Sequence, residues 1–493
     1  MTNLANSVPN RPCWIARTLT GGLLTAAGFS LCACALHKAP AQPTIVAQAL
    51  PKATPLPPAW SSTPNAVKVD DSWLKSFGDD RLEAVVAEAI ANNLDLRQSA
   101  AQVEAARQSV IVVGAKLRPQ VTALLSAATT RSTDKDVTQQ NQSSTVLPGV
   151  AWEVDVWGRL RAQQDASRKN YEAIALDYAF ARQSLAATTG KSWYQAIETR
   201  RLLDLAEESV TIYTKLLELV NVRRAAGKVA DLDVAEARYQ LDEAKNQLAI
   251  AQGLYIEARR TLEVLIGRYP AGELKIAEAF APLPPPIGSG LPSALLERRP
   301  DIVAAERRVL AAFRTQEAAN LALLPSFSFT VEGGRLSDPL LSVLGLNPWL
   351  IHAVAGMFVP IYQGGALRAQ IKIATANEEQ SVAYFGGVAL SAFAEVETGL
   401  TNEQLFDQRL PYTEDAVRDH SEAVRVANLR YKAGSMDLLS LLQLQEGQLQ
   451  SQADLIKLRN AQLANRINLH LALGGSFDSS PASTIPVVKA KAP

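Results

Sequence analysis

The sequence predicts a membrane α+β chain built by internal duplication, in which two pairs of short strands alternate with two sets of very long helices. Three observations carry that expectation. The chain contains itself twice: Leu160-Arg161-Ala162-Gln163 returns as Leu367-Arg368-Ala369-Gln370, an offset of 207 residues. Gly158, Gly227 and Gly267 return at the same spacing as Gly365, Gly434 and Gly474, so the turns are duplicated with the helices. Secondly, the stretch from Arg159 to about Ala226 has no proline and is rich in Ala, Leu, Gln, Glu and Arg. It supports one helix of roughly 68 residues, about 100 Å long. Thirdly, four runs of about ten residues change to a period of two, the pattern of strands.

The repeat is too long for a solenoid unit, which recurs every 20–50 residues, so each copy is a whole half-domain. Upstream, Asp95, Val103, Ala105-Ala106, Leu117 and Pro119 recur as Asp301, Val309, Ala311-Ala312, Leu323 and Pro325, at an offset of 206. The shift by one places a loop of variable length between Pro325 and Gly365.

The first residues read as an export signal. Arg11 and Arg17 form a basic start, and the apolar run Leu19 to Leu31 is too short to span a membrane as a helix. It ends in Leu31-Cys32-Ala33-Cys34, which is similar to a bacterial lipobox, with Cys34 the residue to be lipidated and residues 1–33 removed. Cys32 is the poorer candidate, because bulky Leu31 precedes it. Cleavage before Cys34 leaves that single cysteine and no disulfide framework. Residues 34–78, rich in Pro and Ala at their start, read as an extended tether from the lipid.

Composition excludes several classes. Forty-nine basic residues balance 49 acidic ones, so no basic footprint calls for nucleic acid. No later run of about 18 apolar residues provides a transmembrane helix, so any crossing uses strands.

Repeat 1 is expected over residues 79–267 and repeat 2 over 298–474, with 268–297 as linker and 475–493 as a flexible tail. Within repeat 2 the long helix from Leu367 to Ala433 contains Gly386-Gly387, Gly399 and Pro411, and Pro411 is expected to kink it. After each turn a heptad seam begins: Val234, Leu241, Leu248, Tyr255 and Leu262, then Leu442, Leu449, Ile456 and Leu463.

The strands fall in two hairpins, 120–157 and 326–360. Val121, Ala123, Leu125 and Ala127 share one face; Val150, Trp152, Val154 and Val156 alternate with Glu153 and Asp155; Phe327, Phe329 and Val331 alternate with polar residues and Glu332. Charge facing lipid is costly, so Glu153, Asp155 and Glu332 are expected to face water in a pore. Arg131 to Ser144 and Leu336 to Pro348 would be hairpin tips, and Trp152, Trp157 and Trp349 would lie near interfaces. A sheet in lipid has to close, and bacterial barrels need at least eight strands. Four strands cannot close, so the chain pools strands with two, three or more copies of itself.

The order lipobox, helix, hairpin, long helix, turn, helix, duplicated over about residues 70–475, resembles the TolC/NodT-type outer-membrane efflux factors. The motifs are Glu297-Arg298-Arg299-Pro300-Asp301-Ile302 with Ala305-Glu306, Asp155-Val156-Trp157-Gly158-Arg159, Trp73 with Phe77, and Arg430-Tyr431-Lys432-Ala433-Gly434. The resemblance implies a homotrimer whose 12-stranded outer-membrane β-barrel, four strands per chain, is continuous with a periplasmic α-helical barrel. It implies an inner-membrane pump, a periplasmic membrane-fusion adaptor and outer-membrane lipid as partners. The lipidated N-terminus resembles the drug-efflux members, so small amphipathic compounds are the expected cargo. Two alternatives stand beside it: an exit duct for type I protein secretion, and a periplasmic coiled-coil scaffold lipoprotein without a pore.

Gly227 and Gly434 each end a long helix as glycine caps, so each marks a hairpin tip. By resemblance these tips, with Arg223 and Arg430, meet the adaptor and form the periplasmic mouth. Asp233, six beyond the first glycine, and Tyr431, three before the second, match the carboxylate and tyrosine that hold that mouth shut. Met436 stands where the family's closed network has an arginine, and Ser440 and Gln443 replace two constriction aspartates. Asp437 is a candidate substitute.

No phosphate loop or GxSxG is present, and His37, His352, His420 and His470 lack metal-ligand spacing, so no catalytic residue, metal or cofactor is expected. The histidines read as surface or wall residues, and Asp301 with Glu306 as helix-start capping and ion pairing.

Overall fold

A computed structural model describes residues 36–50, 57–62, 69, 71–134, 137–337 and 349–477. Cys34, the leader, the tail after 477 and much of the second hairpin tip lie outside them. The chain divides into two compact units, one holding residues 105–171 and 306–383 with the N-terminal segment, the other holding 49–104, 172–305 and 384–493.

The first unit contains a four-stranded antiparallel meander, β1 (Gln120–Asp134), β2 (Val137–Val154), β3 (Ser326–Ser337) and β4 (Trp349–Phe358), ordered β1-β2-β3-β4. Pairing of Gln120 with Ala151 through to Asp134 with Val137 corrects the expected first tip. Arg131 to Asp134 and Val137 to Ser144 are paired strand rather than loop. The register also fixes the faces. Val150 pairs with Val121 and Val331, Trp152 with Phe329, and Val331 with Ala353. Paired residues share a face, so Val121, Ala123, Val150, Trp152, Phe327, Phe329, Val331, Ala353 and Ala355 form one apolar side. Thr122, Gly149, Ser328, Thr330, Glu332 and His352 fall on the other. Indole donors tie down the strand bases: Trp157 Nε1 donates to Pro325 O at 2.7 Å and Trp152 Nε1 to Leu117 O at 3.1 Å.

The N-terminal segment is held in the same unit. Leu36 lies against Gly158, where an added Cβ would sit 3.0 Å from Leu36 Cγ. His37 Nδ1 is 3.1 Å from the buried Glu317 carboxylate, and Arg314 donates to His37 O at 2.8 Å and to Asp165 at 2.8 Å.

The helices are α1 (Gln42–Ala49), α2 (Trp73–Ser76), α3 (Asp80–Asn92), α4 (Leu94–Ala115), α5 (Arg159–Ala225), α6 (Asp231–Leu265), α7 (Pro292–Arg298), α8 (Pro300–Leu321), α9 (Ala366–Ala433) and α10 (Leu438–Ala472). α5 spans 67 residues and α9 spans 68, with Pro411 inside its uninterrupted course. Every seam residue named from the heptads is buried or half-buried, Leu262, Leu442 and Leu463 fully so. The duplication extends to backbone: Gly158, Gly227 and Gly267 have φ of 88°, 68° and 76°, and Gly365, Gly434 and Gly474 have 86°, 81° and 69°. At these positions a Cβ would be strained, so the repeat preserved glycine.

In the second unit one core gathers Trp73, Phe77, Leu82, Val86, Trp193, Tyr194, Ile197, Leu262, Ile266, Leu463 and Ile467. Arg299, from the motif opening repeat 2, is 4% exposed and grips Asp301 at 2.9 Å and Glu395 at 2.5 Å. Glu397 accepts from Ser61 N–H at 2.8 Å and from the Ser62 hydroxyl at 2.6 Å, while Trp60 Nε1 donates to Ser289 O at 2.8 Å, strapping residues 60–62 down.

His470 departs from the surface reading. It is 4% exposed and stacked on Trp73, ring centroids 5.5 Å apart. Burial, aided by the Arg466 guanidinium, pushes its imidazole down from 6.5 to about 3. The folded chain therefore keeps it neutral while the unfolded chain takes up a proton below about 6.5. Its contribution is intact above that pH and is lost as pH falls towards 3, by up to ~1.4 kcal/mol per pH unit. The thermal midpoint of His470→Phe should fall less steeply than wild type between pH 6.5 and 4; parallel curves would contradict this.

Candidate functional site: the helical hairpin tips

Two features could serve transport, the two-faced sheet and the hairpin tips, and the tips hold most of the expected site residues. α5 ends in a Schellman turn, with Gly227 N–H donating to Arg224 O at 2.8 Å and Lys228 N–H to Arg223 O at 2.9 Å. α9 ends in the same way, Gly434 N–H to Tyr431 O at 3.0 Å and Ser435 N–H to Arg430 O at 3.0 Å. Each turn is followed by a helix start with a side-chain cap. On α6, Asp233 accepts from Ala230 N–H at 2.8 Å. On α10, Asp437 accepts from Ser440 N–H and the Ser440 hydroxyl, both at 2.8 Å. Those Ser440 bonds, backbone first, hold the Asp437 carboxyl below its ordinary range. An Asp437 so engaged is committed to capping, and Ser440 donates to it.

A small core knits the two tips, joining Tyr213, Leu216, Val220, Ala237 and Leu241 to Ala427, Tyr431, Leu438, Leu441 and Leu442, with Met436 packed against it. Tyr431 is 2% exposed, and its hydroxyl is buried without a hydrogen-bond partner. Burial pushes the phenol up, the Arg223 guanidinium opposes that, and the Asp233 carboxylate adds to it. Asp233 is therefore near Tyr431 electrostatically while its hydrogen bond goes to the helix start. Met436 fills apolar space, which explains how the chain accommodates it where the resemblance implied an arginine.

Arg223 and Arg430 stand in equivalent positions of the two repeats, yet they differ. Arg430 is exposed. Arg223 turns inward, its guanidinium carbon 4.5 Å above the Tyr431 ring and its Nη1 donating to Tyr431 O. Sequence reasoning missed this pairing, because a contact between residues 208 apart leaves no local periodic signal.

The expected pore-facing carboxylates are positioned unevenly. Glu332 sits in mid-β3 on the polar face, paired with His352. Glu153, one residue from the end of β2, is ion-paired with Arg159 at 2.5 Å. Asp155 lies beyond β2, and its carboxylate accepts from Leu160 N–H and Arg161 N–H at 3.0 Å each, capping α5. This corrects the strand assignment of Asp155: its side chain is 9% exposed and binds helix amides. The Asp-x-x-x-Arg spacing ahead of a long helix was the available signal. Among the described residues no helix is long and apolar enough to cross a membrane, and no three His, Cys, Asp or Glu side chains group to hold a metal.

Comparison with known proteins agrees with this geometry. The outer membrane efflux protein family matches residues 85–268 and 291–475. The pyoverdine export outer membrane protein OpmQ of Pseudomonas putida is 30% identical, covering 86% of this chain and 93% of its own length. The toluene efflux pump outer membrane protein TtgC of Pseudomonas putida is 30% identical over 86% of this chain and 89% of its own. The crystal structure of the Campylobacter jejuni CmeC outer membrane channel superposes with a TM-score of 0.78 at 20% identity, over 85% of this chain and 90% of that one. The chain belongs to the outer membrane efflux protein family; it is a transport protein of the outer membrane and not an enzyme.

Proposed function

We propose that this outer membrane efflux protein is the exit duct of a tripartite pump, a homotrimer whose three sheets close one 12-stranded barrel and whose helices form a tunnel. The observation that carries the reading is the sheet itself. It has two open edges, β1 and β4, and between them a face that is apolar from Phe327 to Gly333 and turns polar at Arg335. Unpaired edge amides in hydrocarbon cost several kcal/mol each, so closure with further copies relieves them. A periplasmic adaptor and an inner-membrane pump supply the cargo, and the exposed Arg430 and the tip turns at Gly227 and Gly434 offer the docking end. Small amphipathic compounds are the favoured cargo over secreted protein, since OpmQ and TtgC are named for the export of pyoverdine and the efflux of toluene.

Cys34 carries the lipid in this reading. Support comes from Leu36 and His37, two and three residues beyond it, which are fixed beside the junction of β2 and α5. Cys34→Ser should lose all palmitate label on metabolic labelling, and persistent label would contradict the anchor. Barrel closure should nevertheless retain the variant in the outer membrane.

Asp233 and Tyr431 form the periplasmic gate, the buried and unpartnered Tyr431 hydroxyl being the donor available to it. In planar bilayers the wild type should give discrete conductance steps, and Asp233→Ala with Tyr431→Phe should raise open probability. A hydrogen bond to a charged group is worth about 1.5–3 kcal/mol, and three copies would bias closure strongly. Asp233→Asn, which keeps the cap, separates helix fraying from gating. Conductance identical to wild type in both variants would contradict the gate.

A further inference from the structure

We infer that Arg223 is the positioning residue of the gate: it clasps Tyr431 and so ties the tip of repeat 1 to the tip of repeat 2 within one chain. The inference rests on the gate reading given above and deepens it. Two contacts made by one guanidinium carry it. Nη1 donates to the Tyr431 carbonyl, which lies in the last turn of α9 and also accepts from Gly434 N–H. The guanidinium carbon lies 4.5 Å from the Tyr431 ring centroid. Nη2 passes 3.6 Å from the position a Cβ would take on Gly434, an ordinary contact distance, so the guanidinium lies alongside the turn, whose glycine is set by its φ of 81°. A cation at a helix C-terminus is favoured by the orphan carbonyls there, and Arg is the residue that stacks and donates at once.

Duplication supplied equivalent arginines, four residues before each turn glycine, and the fold uses them differently. Arg430 points to solvent, while Arg223 is half-buried with its Nε enclosed and unpartnered. The clasp fixes the ring and backbone of Tyr431 and leaves the hydroxyl uncommitted. Arg223 thus holds the phenol where a carboxylate can reach it, and it replaces in cis a tether that Met436 cannot make.

The test uses the full-length oligomer and two readouts. Hydrogen exchange at residues 430–436 reports the clasp, and single-channel recording reports the gate. Arg223→Gln should speed exchange and raise open probability, each on the order of tenfold, given a cation–π contact and a charged hydrogen bond lost together. Arg223→Lys keeps the charge without the planar fork and should restore only part of both. Tyr431→Phe keeps the ring and carbonyl, so its exchange should stay near wild type while its open probability rises. Unchanged exchange in Arg223→Gln would overturn the clasp. Faster exchange with wild-type conductance, while Asp233→Ala with Tyr431→Phe opens the channel, would overturn the positioning role and leave the gate standing. Faster exchange with no conductance change in any variant would overturn the gate itself and with it the role of Arg223.

Discussion

Val331→Arg should abolish assembly of the stable oligomer, whereas Thr330→Arg, one residue away, should assemble. Val331 lies on the apolar face of the sheet, paired with Val150 and Ala353, and Thr330 lies on the face shared with Glu332 and His352. An arginine turned towards lipid near the bilayer midplane costs about 2–4 kcal/mol per strand. Every copy in the ring pays that cost at once, so the population of inserted barrel collapses. On the polar face an arginine stays hydrated and alters conductance instead. Heat-modifiable migration of the two variants on gels checks the assignment. Assembly of Val331→Arg with loss of Thr330→Arg would invert the sheet.

Glu263→Ala should destabilise the helical part by about 3–5 kcal/mol. Glu263 is 3% exposed at the end of α6. Its carboxylate accepts from Gly272 N–H at 2.6 Å, Glu273 N–H at 2.8 Å and Leu274 N–H at 2.9 Å, turning the start of the inter-repeat linker. Burial alone would raise its carboxyl, and the three amides together hold it low. Removing the carboxylate strands the buried Gly272 N–H, at about 1–3 kcal/mol, and takes the acceptor from the part-buried Glu273 and Leu274 N–H groups as well. Glu263→Gln retains an acceptor oxygen and should fall between. Glu257→Ala, on the exposed side of the same helix, should stay within about 0.5 kcal/mol of wild type. Denaturant midpoints that match for Glu263→Ala and Glu257→Ala would refute the clamp.

Much of this fold was legible because its signals are local and repeated. The bounds of α5 follow from the absence of proline after Arg159 and the glycine at Gly227, and α9 follows from the same signals one repeat later. Strand faces were legible at Val150 to Val154 and Phe327 to Glu332, where apolar and polar residues alternate. The strand ends were not. Arg131 to Ser144 lacks an apolar alternation, so a polar ladder reads as a loop. Asp155 continues the alternation of β2 by one more step, and only the helix amides of Leu160 and Arg161 reveal it as a cap. Asp233 and Tyr431 were identified through family motifs. The Arg223 clasp and the buried His470 depend on residues brought together from distant parts of the chain, which no window along the sequence records.

The central claim is that open edges of separate chains close into one ring of three, and disulfides across those edges test it most directly. Cysteines at Ala123 in β1 and Ala355 in β4, with Cys34 left in place to carry its lipid, cannot join within one chain. The two edges are three strand spacings apart, about 14 Å, and a disulfide needs Cα atoms within about 7 Å. Neighbouring pairs, such as Val121 or Leu125 with Ala353 or Met357, cover the register between chains. At the correct register oxidation should convert the protein to a covalent species of three chains and stop there. A ladder ending at two or four chains, or no cross-link at any register, would contradict the account.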